Sequence, residues 1–364
     1  MRMLDHFSVE NIARGSAVLA SGGGGDPYRG ALAASAYLSE FGPVPLLELN
    51  ELPEEAVLST PFLIGAPLAL LEKFPFGVEL ERALAGLQRL TGKRISALFA
   101  GEIGGVNSLL PIGLAAKMGL SVVDADTMGR AYPETDMTLT NLAGYPMAPL
   151  VVADDHGTEV SVATDDGRIS ENIGRIVSLQ FGAAVGAAAM CNTAGELRNA
   201  LVPGTLTKAE EIGKILRNAS LDVEASWAEV LDFTGGTQIF EGRITALRQD
   251  IEGAFGKGLV SIEGTGSYKG DRLQIVVINE NLSARTPERV LASAPDIISI
   301  IDDTSGLALT TENVRYGYKV RVVALPCDER WLSPEGLALG GPSRFNFDFE
   351  YEPFSGRQTR INSL

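Results

Sequence analysis

Acidic residues follow two apolar segments in the first half of the chain, and their carboxylates are the groups best suited to do chemistry. Glu102 stands between Gly101 and the glycine pair at 104–105, where small neighbours leave room beside its side chain. This setting suits a metal ligand or a general base. The alternative is that Glu102 caps the following helix, although Asn107 and Ser108 are better placed for that role.

Asp124 and Asp126 end a second apolar segment and are two residues apart. In a strand this spacing points both carboxylates to one side. Such a pair can bind a divalent cation, or one carboxyl can act as acid or base with its pKa raised by the other. Ordinary turn chemistry is the alternative, since aspartate favours loops. Arg130 follows, and would either clamp a substrate carboxylate or tie down the aspartate pair.

Four consecutive glycines form the most unusual local feature of the sequence; they are Gly22, Gly23, Gly24 and Gly25. Glycines cost backbone entropy on folding, which is most easily explained if the backbone approaches a ligand. A helix is predicted directly after them, and N–H groups at a helix N-terminus suit an anionic or oxyanion-like group. A flexible surface turn is the alternative. The spacing matches neither the dinucleotide fingerprint nor a P-loop.

Histidine and cysteine are scarce, which restricts the mechanisms that the chain can support. A zinc site with two histidine ligands would need both His6 and His156, so any metal would rely on carboxylates. We expect His156 in an exposed hairpin turn and His6 to be incidental. Cys191, on a predicted small-residue helix, and Cys327 are expected to be buried, inert thiols. No Gly-x-Ser-x-Gly elbow is present, so a serine hydrolase is unsupported.

Composition indicates a globular protein with two domains. The chain has 364 residues, of which 45% are hydrophobic and 21% charged. A formal net charge of -16 argues against sequence-independent binding to nucleic acid and against an acidic membrane surface. The N-terminus lacks the apolar core of a signal peptide, and two cysteines make a disulfide framework unexpected, so we predict a cytoplasmic protein. Size and apolar content favour a homo-oligomer.

Apolar segments alternate with helical patterns through the first half, which predicts an α/β domain with a mostly parallel sheet. Strands are predicted at 16–20, 44–49, 61–64, 95–100 and 120–123, and helices at 28–41, in an amphipathic region up to about 90, and at 107–118. Loops that follow parallel strands meet at one sheet edge. The glycine loop and the segments 65–67, 101–105 and 124–126 should therefore converge.

The second half changes in texture from helices to short alternating strands. A hairpin is predicted at 151–162, a helical region at 171–201, and a helix with Thr207 as N-cap and Glu210 in the capping box. Strands are predicted at 237–247, 258–263, 272–279, 297–302 and 318–325, which indicates an all-β domain. We divide the chain into an α/β domain at 1–165, a helical bridge plus β domain at 166–354, and a disordered tail at 355–364. The polar segments 279–281 and 295–296 are expected to be turns.

These motifs occur in an order that resembles the S-methyl thiohydantoin desulfurase family. The matching segments are the four glycines with Asp26-Pro27, then 65–67, 72–73, 102–107, 124–134, 203–205, 279–280, 295–296 and 315–317. The resemblance extends to about residue 354. It implies an N-terminal α/β domain joined to a C-terminal β domain, and a link to hydantoin, thiohydantoin or oxoprolinase-type metabolism. It also implies metal-assisted hydrolysis of a C–S bond in a thiohydantoin ring.

The leading hypothesis is a hydrolase that acts on a small cyclic amide or thioamide. Glu102, Asp124 and Asp126 are the candidate ligands of a divalent metal, with zinc as the candidate ion, and Glu102, Asp124 and Arg130 are the candidate catalytic residues. Substrate binding is assigned to the four glycines, Asn107 and Glu134. The alternatives are a non-catalytic ligand-binding or regulatory subunit of a hydantoinase or oxoprolinase system, and a protein that binds an anionic nucleotide.

Overall fold

Two β-sheets, each with its own helices, make up the molecule. The computed structural model describes residues 1–65, 69, 72, 77–252 and 255–357. The predicted loop at 65–67 and the segment 72–73 therefore lie partly outside the described residues, as do residues 358–364 of the predicted tail. Among the described residues, no helix has both the length and the apolar character that crossing a membrane requires.

The helices described by the structure number ten. They are α1 His6–Leu19, α2 Pro27–Phe41, α3 Val78–Thr91, α4 Leu110–Met118, α5 Leu139–Leu142, α6 Gly167–Gln180, α7 Ala194–Leu197, α8 Thr205–Ile215, α9 Val223–Thr234 and α10 Pro334–Gly340.

The described strands number seventeen. They are β1 Arg2–Leu4, β2 Val44–Leu47, β3 Val57–Gly65, β4 Ala97–Ala100, β5 Ser121–Asp126, β6 Leu150–Ala153, β7 Glu159–Val162, β8 Ala184–Thr193, β9 Val202–Pro203, β10 Thr237–Glu252, β11 Phe255–Gly264, β12 Arg272–Ile278, β13 Glu280–Arg285, β14 Val290–Ser293, β15 Ile297–Asp302, β16 Ala308–Leu309 and β17 Lys319–Leu325.

The first sheet has the order β1-β2-β5-β4-β3-β8-β6-β7, and β9 pairs with β5. Its centre is the parallel block β2-β5-β4-β3, and the flanking strands pair antiparallel. The second sheet, β14-β13-β12-β11-β10-β17-β15-β16, is antiparallel throughout. The predicted fold class, an α/β domain joined to a β domain, is confirmed. Strands β8 and β9 follow the predicted boundary in sequence but complete the first sheet.

The segment before the glycine loop is a helix, so the strand predicted at 16–20 is wrong. Asp5 caps α1 by accepting a hydrogen bond from the Ser8 N–H, and α1 packs closely on α8. A Cβ on Gly15 would lie 1.8 Å from the Ala209 carbonyl oxygen, so the two helices touch backbone to backbone. A short apolar run fits a strand or a buried helix equally well, and helix packing decided between them here.

The helical region predicted at 171–201 is also wrong in its second part. Helix α6 ends at Gln180, and the alanine-rich segment that follows is strand β8, paired with β3 and β6 in the middle of the sheet. Small side chains suit this strand because α3 packs closely on it: a Cβ on Gly186 would lie 2.9 Å from Cβ of Glu79. Cys191 therefore lies on a strand. Packing overrode the helix propensity of alanine.

The predicted N-cap at Thr207 is wrong as well. Helix α8 has Gly204 as its N-cap, with a positive φ of 75°, and Thr207 lies in its first turn. In the second sheet, the sequence analysis did not predict β13, β14 and β16, which are short or contain polar residues.

Candidate functional site

A pocket opens at the carboxyl edge of the parallel strands, where the two domains meet. The loops after β4 and β5 form part of it, and the turn between β12 and β13 forms its opposite side. Among the predicted site residues, Gly24, Gly25, Glu102, Asn107 and Glu134 line the pocket. Of the segments predicted to converge here, the glycine loop, Gly65 and the loop that begins at Gly101 line the pocket, whereas residues 124–126 end strand β5 and do not line it.

The glycine loop is wedged between the domains. Its Gly24 carbonyl accepts from the Val106 N–H at 2.6 Å on the α/β side, and its Gly22 carbonyl accepts from the Thr311 N–H at 2.8 Å on the β side. Gly22, Gly24 and Gly25 have positive φ values of 86°, 73° and 77°. The adjacent helix α2 has its N-terminus capped by the Asp26 carboxylate. The loop therefore shapes the pocket by close backbone packing.

Glu102 is a buried carboxyl in the pocket wall. The Asn107 amide donates to its Oε1 at 2.6 Å, while the Asn107 Oδ1 accepts from the Leu63 N–H at 3.0 Å. Burial raises the pKa of Glu102 from 4.5 to about 7, against the opposing effects of the Asn107 hydrogen bond and the nearby Arg130. A carboxyl that titrates near neutral pH is suited to proton transfer.

Glu280 is a second buried carboxyl that lines the same pocket, contributed by the β domain at the start of β13. Burial raises its pKa well above the ordinary value, and the charge of Glu102 raises it further. Its Oε2 has no hydrogen-bond partner within the described part of the chain. A Cβ on Gly23 would lie 1.9 Å from the other oxygen, Oε1, so any larger residue at position 23 would displace this side chain.

Sequence reasoning missed Glu280 because it assigned the polar segment 279–281 to an ordinary turn. The turn is real, since Asn279 has a φ of 53° and its Oδ1 accepts from the Gly256 N–H. All three residues are nevertheless buried, at 8% exposure or less. Local sequence gave no sign of that burial. The signal that could have identified Glu280 was the place of segment 279–280 among the motifs that resemble the S-methyl thiohydantoin desulfurase family.

Asp124 does not line the pocket. Its Oδ1 accepts from the N–H groups of Leu206 and Thr207 at 3.0 and 3.1 Å, and its Oδ2 accepts from the Thr207 hydroxyl. This carboxylate therefore holds the N-terminus of α8, where a negative charge is favoured by the helix dipole.

Asp126 lies beneath the loop that carries Glu102. It accepts from the N–H groups of Ile103, Met128 and Gly129, and burial raises its pKa from 3.8 to about 7. Its side chain thus ties the loop after β4 to the loop after β5. Its carboxylate and that of Asp124 are committed to different backbone segments.

Arg130 is fully buried and links the domains. Its Nη1 donates to the carbonyls of Pro295 and Asp296 at 2.7 and 2.9 Å, and its guanidinium lies 4.1 Å from the centre of the Tyr132 ring. Within the described part of the chain, its hydrogen bonds go to the carbonyls of Ala131, Pro295 and Asp296 and not to Asp124 or Asp126. Arg130 influences the pocket through charge, since it lowers the pKa of both Glu102 and Glu280 against the effect of burial.

Glu134 lines the pocket but is held by Arg344, which donates to it at 2.6 Å. Further lining residues that the sequence analysis did not single out are Phe62, Met128, Tyr132, Met147 and Arg175. Most of them are apolar, so the pocket combines apolar walls with two buried carboxyls. Such a surface suits a small ring with a few polar atoms.

The histidines and cysteines lie outside the pocket lining. His156 is exposed in the β6–β7 hairpin turn, His6 is exposed at the start of α1, and Cys191 is buried on β8 with its pKa raised by burial. Among the residues that the structure describes, no group of three His, Cys, Asp or Glu side chains is placed to hold a metal ion. The set Glu102, Asp124 and Asp126 therefore does not form a ligand cluster.

Comparison with known proteins finds two family models that together match residues 8–354. The S-Me-THD-like N-terminal domain matches residues 8–164, and the S-Me-THD-like C-terminal domain matches residues 164–354. A crystal structure of a protein from Chromobacterium violaceum has the same fold, with a TM-score of 0.80 and 24% sequence identity, over 97% of this chain and 100% of that one. The comparison with curated proteins finds no match.

Proposed function

The chain belongs to the S-Me-THD-like family, and from this premise we propose that its pocket hydrolyses a small cyclic amide or thioamide of the hydantoin or thiohydantoin type. Membership in the family suggests a thiohydantoin-related function. The observation that carries the hydrolytic proposal is the presence of Glu102 and Glu280, two buried carboxyls with raised pKa values, in one pocket.

Two such carboxyls supply an acid and a base. Near neutral pH, Glu102 with its pKa of about 7 is ionised in a large fraction of molecules and is the candidate base. Glu280, whose pKa is raised by burial and by the charge of Glu102, is the candidate acid. The pairing follows the general rule that two titratable groups with different environments divide the two roles.

In the proposed reaction, water attacks the ring carbon that carries the sulfur or the amide nitrogen. Glu102 accepts a proton from the water as the C–O bond forms. As the C–S or C–N bond breaks, Glu280 donates its proton to the departing sulfur or nitrogen. The second proton of the water stays on the product, on the ring nitrogen after C–S cleavage or on the new carboxylic acid after C–N cleavage. Proton exchange with solvent then restores ionised Glu102 and protonated Glu280. The apolar walls hold the ring, and Asn107 fixes the Glu102 carboxylate by its 2.6 Å hydrogen bond.

A divalent metal is not part of this scheme. Three carboxyls line the pocket, but Glu134 is paired with Arg344, and among the described residues no three His, Cys, Asp or Glu side chains are placed together as the three protein ligands of a catalytic zinc would be. Binding of the divalent metal predicted from the sequence is tested by measuring the metal content of protein purified without chelator.

Turnover by the purified full-length chain tests the proposal. An S-methyl thiohydantoin and the matching hydantoin are incubated with wild type, Glu102→Gln, Glu280→Gln and Glu210→Gln, and methanethiol release and ring opening are followed. Glu210 is a matched control because it is a buried glutamate, paired with Arg2, that does not line the pocket. We expect kcat to fall by about 100-fold to 10,000-fold in the two pocket variants alone.

Retention of wild-type turnover by both pocket variants would show that this acid–base assignment is wrong. Saturable binding of the ring compounds without turnover by wild type would instead favour the ligand-binding or regulatory subunit. A stoichiometric metal that disappears in Glu102→Gln and Glu280→Gln would require a metal-assisted version of the mechanism.

A further inference from the structure

Helix α6 exposes its large apolar side chains and buries small or polar residues, the reverse of an ordinary surface helix. The residues that it buries are small or polar: Gly167, Ser170, Glu171, Gly174 and Ser178. Its large apolar side chains point outwards instead, with Ile169 exposed by 47%, Ile173 by 38%, Ile176 by 62% and Leu179 by 44%. A surface helix normally turns its apolar face to the core, so this outward face calls for a partner.

The buried side of α6 explains why the helix is held in this orientation. Glu171 accepts from the Thr135 N–H and hydroxyl, and forms an ion pair with Arg175 at 2.5 Å. Gly174 packs against the sheet, where a Cβ would lie 2.7 Å from a methyl carbon of Leu150. Rotation of the helix to bury its isoleucines would break the hydrogen bonds between Thr135 and Glu171 and bring larger side chains into the contact with Leu150.

We propose that α6 is the centre of a two-fold interface between two copies of this chain, in which the α6 helices pack antiparallel. The exposed apolar positions are nearly symmetric about the middle of the helix. In an antiparallel pair, Ile173 of one copy would face Ile176 of the other, and Ile169 would face the region of Leu179. A two-fold interface requires such a self-complementary surface.

The local charges of α6 fit a second copy of this chain. The chain carries a net charge of -16, but the outward face of α6 carries no carboxylate, because Glu171 is buried on the opposite side. In the antiparallel pair, the exposed Arg168 at the start of one helix would lie beside the C-terminal end of the other helix, where a cation is stabilised. An acidic membrane surface would need a basic flank around the apolar stripe, and this protein is strongly acidic.

The oligomeric state of the full chain tests the proposal. Light scattering coupled to size-exclusion chromatography should give twice the chain mass of 38.5 kDa for wild type at about 10 μM. The double substitution Ile173→Glu with Ile176→Glu should reduce the mass to that of one chain at the same concentration, because it places like charges at the centre. Leu32→Glu on α2 is the control, since Leu32 is 55% exposed on another helix, and it should leave the dimer intact.

Crosslinking provides a second measurement that does not depend on a disruptive change. The double substitution Ile173→Cys with Ile176→Cys should give a covalent dimer on mild oxidation, because these positions face each other across the two-fold axis. Tyr28→Cys is the control, because Tyr28 is 68% exposed on α2, and it should give no covalent dimer. Monomeric wild type up to about 50 μM, or a dimer that survives the double glutamate substitution, would overturn the proposal.

Discussion

At the residue scale, folding disfavours the charged forms of Glu102 and Glu280, because both carboxyls are buried in the pocket. Glu102 has its pKa raised from 4.5 to about 7, mainly by burial. A carboxyl whose pKa is higher in the folded state stabilises the fold fully below its unfolded pKa, and this stabilisation is lost as the pH rises through about 7. The site therefore lowers the stability of the protein at the pH where the base is active.

We expect Glu102→Gln to become more stable relative to wild type as the pH rises from 5 to 8. Glutamine stays neutral, so it avoids a cost that grows by up to about 1.4 kcal/mol per pH unit. Urea unfolding at several pH values measures the difference. Asp5→Asn is the control. The Ser8 N–H lowers the pKa of Asp5, so the stabilisation of the fold by this carboxylate is lost only at acid pH. A constant difference between Glu102→Gln and wild type would contradict the raised pKa.

At the scale of elements, the acidic pair at the end of β5 serves the backbone. Asp124 holds the N-terminus of α8 through three hydrogen bonds, and α8 is the helix against which α1 packs. This arrangement predicts a stability role for Asp124, whereas the sequence alone suggested a catalytic one.

Asp124→Asn should lower the free energy of unfolding by about 1–2 kcal/mol, because the charge at the helix N-terminus and one acceptor are lost. Activity of the folded variant, measured well below its melting temperature, should stay within about threefold of wild type since Asp124 does not line the pocket. A loss of turnover as large as that expected for Glu102→Gln would return Asp124 to the site.

Close packing of the glycine loop leads to a second prediction at this scale, on the effect of adding a Cβ at Gly24. Gly24 has a φ of 73°, and a Cβ there would lie 2.3 Å from Cα of Gly104 in the neighbouring loop. Gly119 has a similar φ of 65°, with open space around it. Gly24→Ala should therefore lower the free energy of unfolding more than Gly119→Ala does. Gly119→Ala should lower it only by the cost of a left-handed backbone, about 1–2 kcal/mol.

Thermal unfolding of both variants measures the difference, and activity should be lost only in Gly24→Ala because this loop lines the pocket. Equal melting temperatures for the two variants would show that the contact between the two glycine-rich loops adds no constraint beyond backbone conformation.

At the scale of the whole molecule, the two sheets are interlocked by the segment that precedes the glycines. The Ser21 hydroxyl accepts from the Ile298 N–H at 2.9 Å, and its one hydrogen is shared between the carbonyls of Asn281 and Ile298, both at 3.1 Å. A residue from the α/β domain thus bridges β13 and β15 of the β domain. Arg130 adds a second link to the loop at 295–296.

These links predict that the two domains unfold together, in one calorimetric transition. Ser21→Ala should lower the stability of the whole molecule by about 1–3 kcal/mol, because it leaves a buried N–H without a partner. Ser39→Ala is the control, since Ser39 is exposed on α2 and bonds only to the Ser35 carbonyl; it should change stability by less than about 0.5 kcal/mol. Two separate transitions in wild type would contradict the interlocking.

The sequence predicted the elements whose signals are local. Helix α2, predicted at 28–41, covers Pro27–Phe41, and the hairpin of β6 and β7 surrounds the turn at 154–157. The parallel strands that end in glycines or aspartates were also found, because alternation of apolar segments and turn residues is a property of neighbouring residues.

Local signals failed where a distant segment set the environment. Alanine-rich β8 and the apolar end of α1 were assigned to the wrong element, since their partners α3 and α8 are far away in the sequence. The sequence by itself determined the two-domain class, the family motifs, and the presence of Glu102, Asn107 and Glu134 in one pocket. Only the tertiary structure decided that Glu280 completes the pocket and that Asp124 does not line it. Burial and the direction of a side chain depend on contacts between the domains, which sequence spacing does not encode.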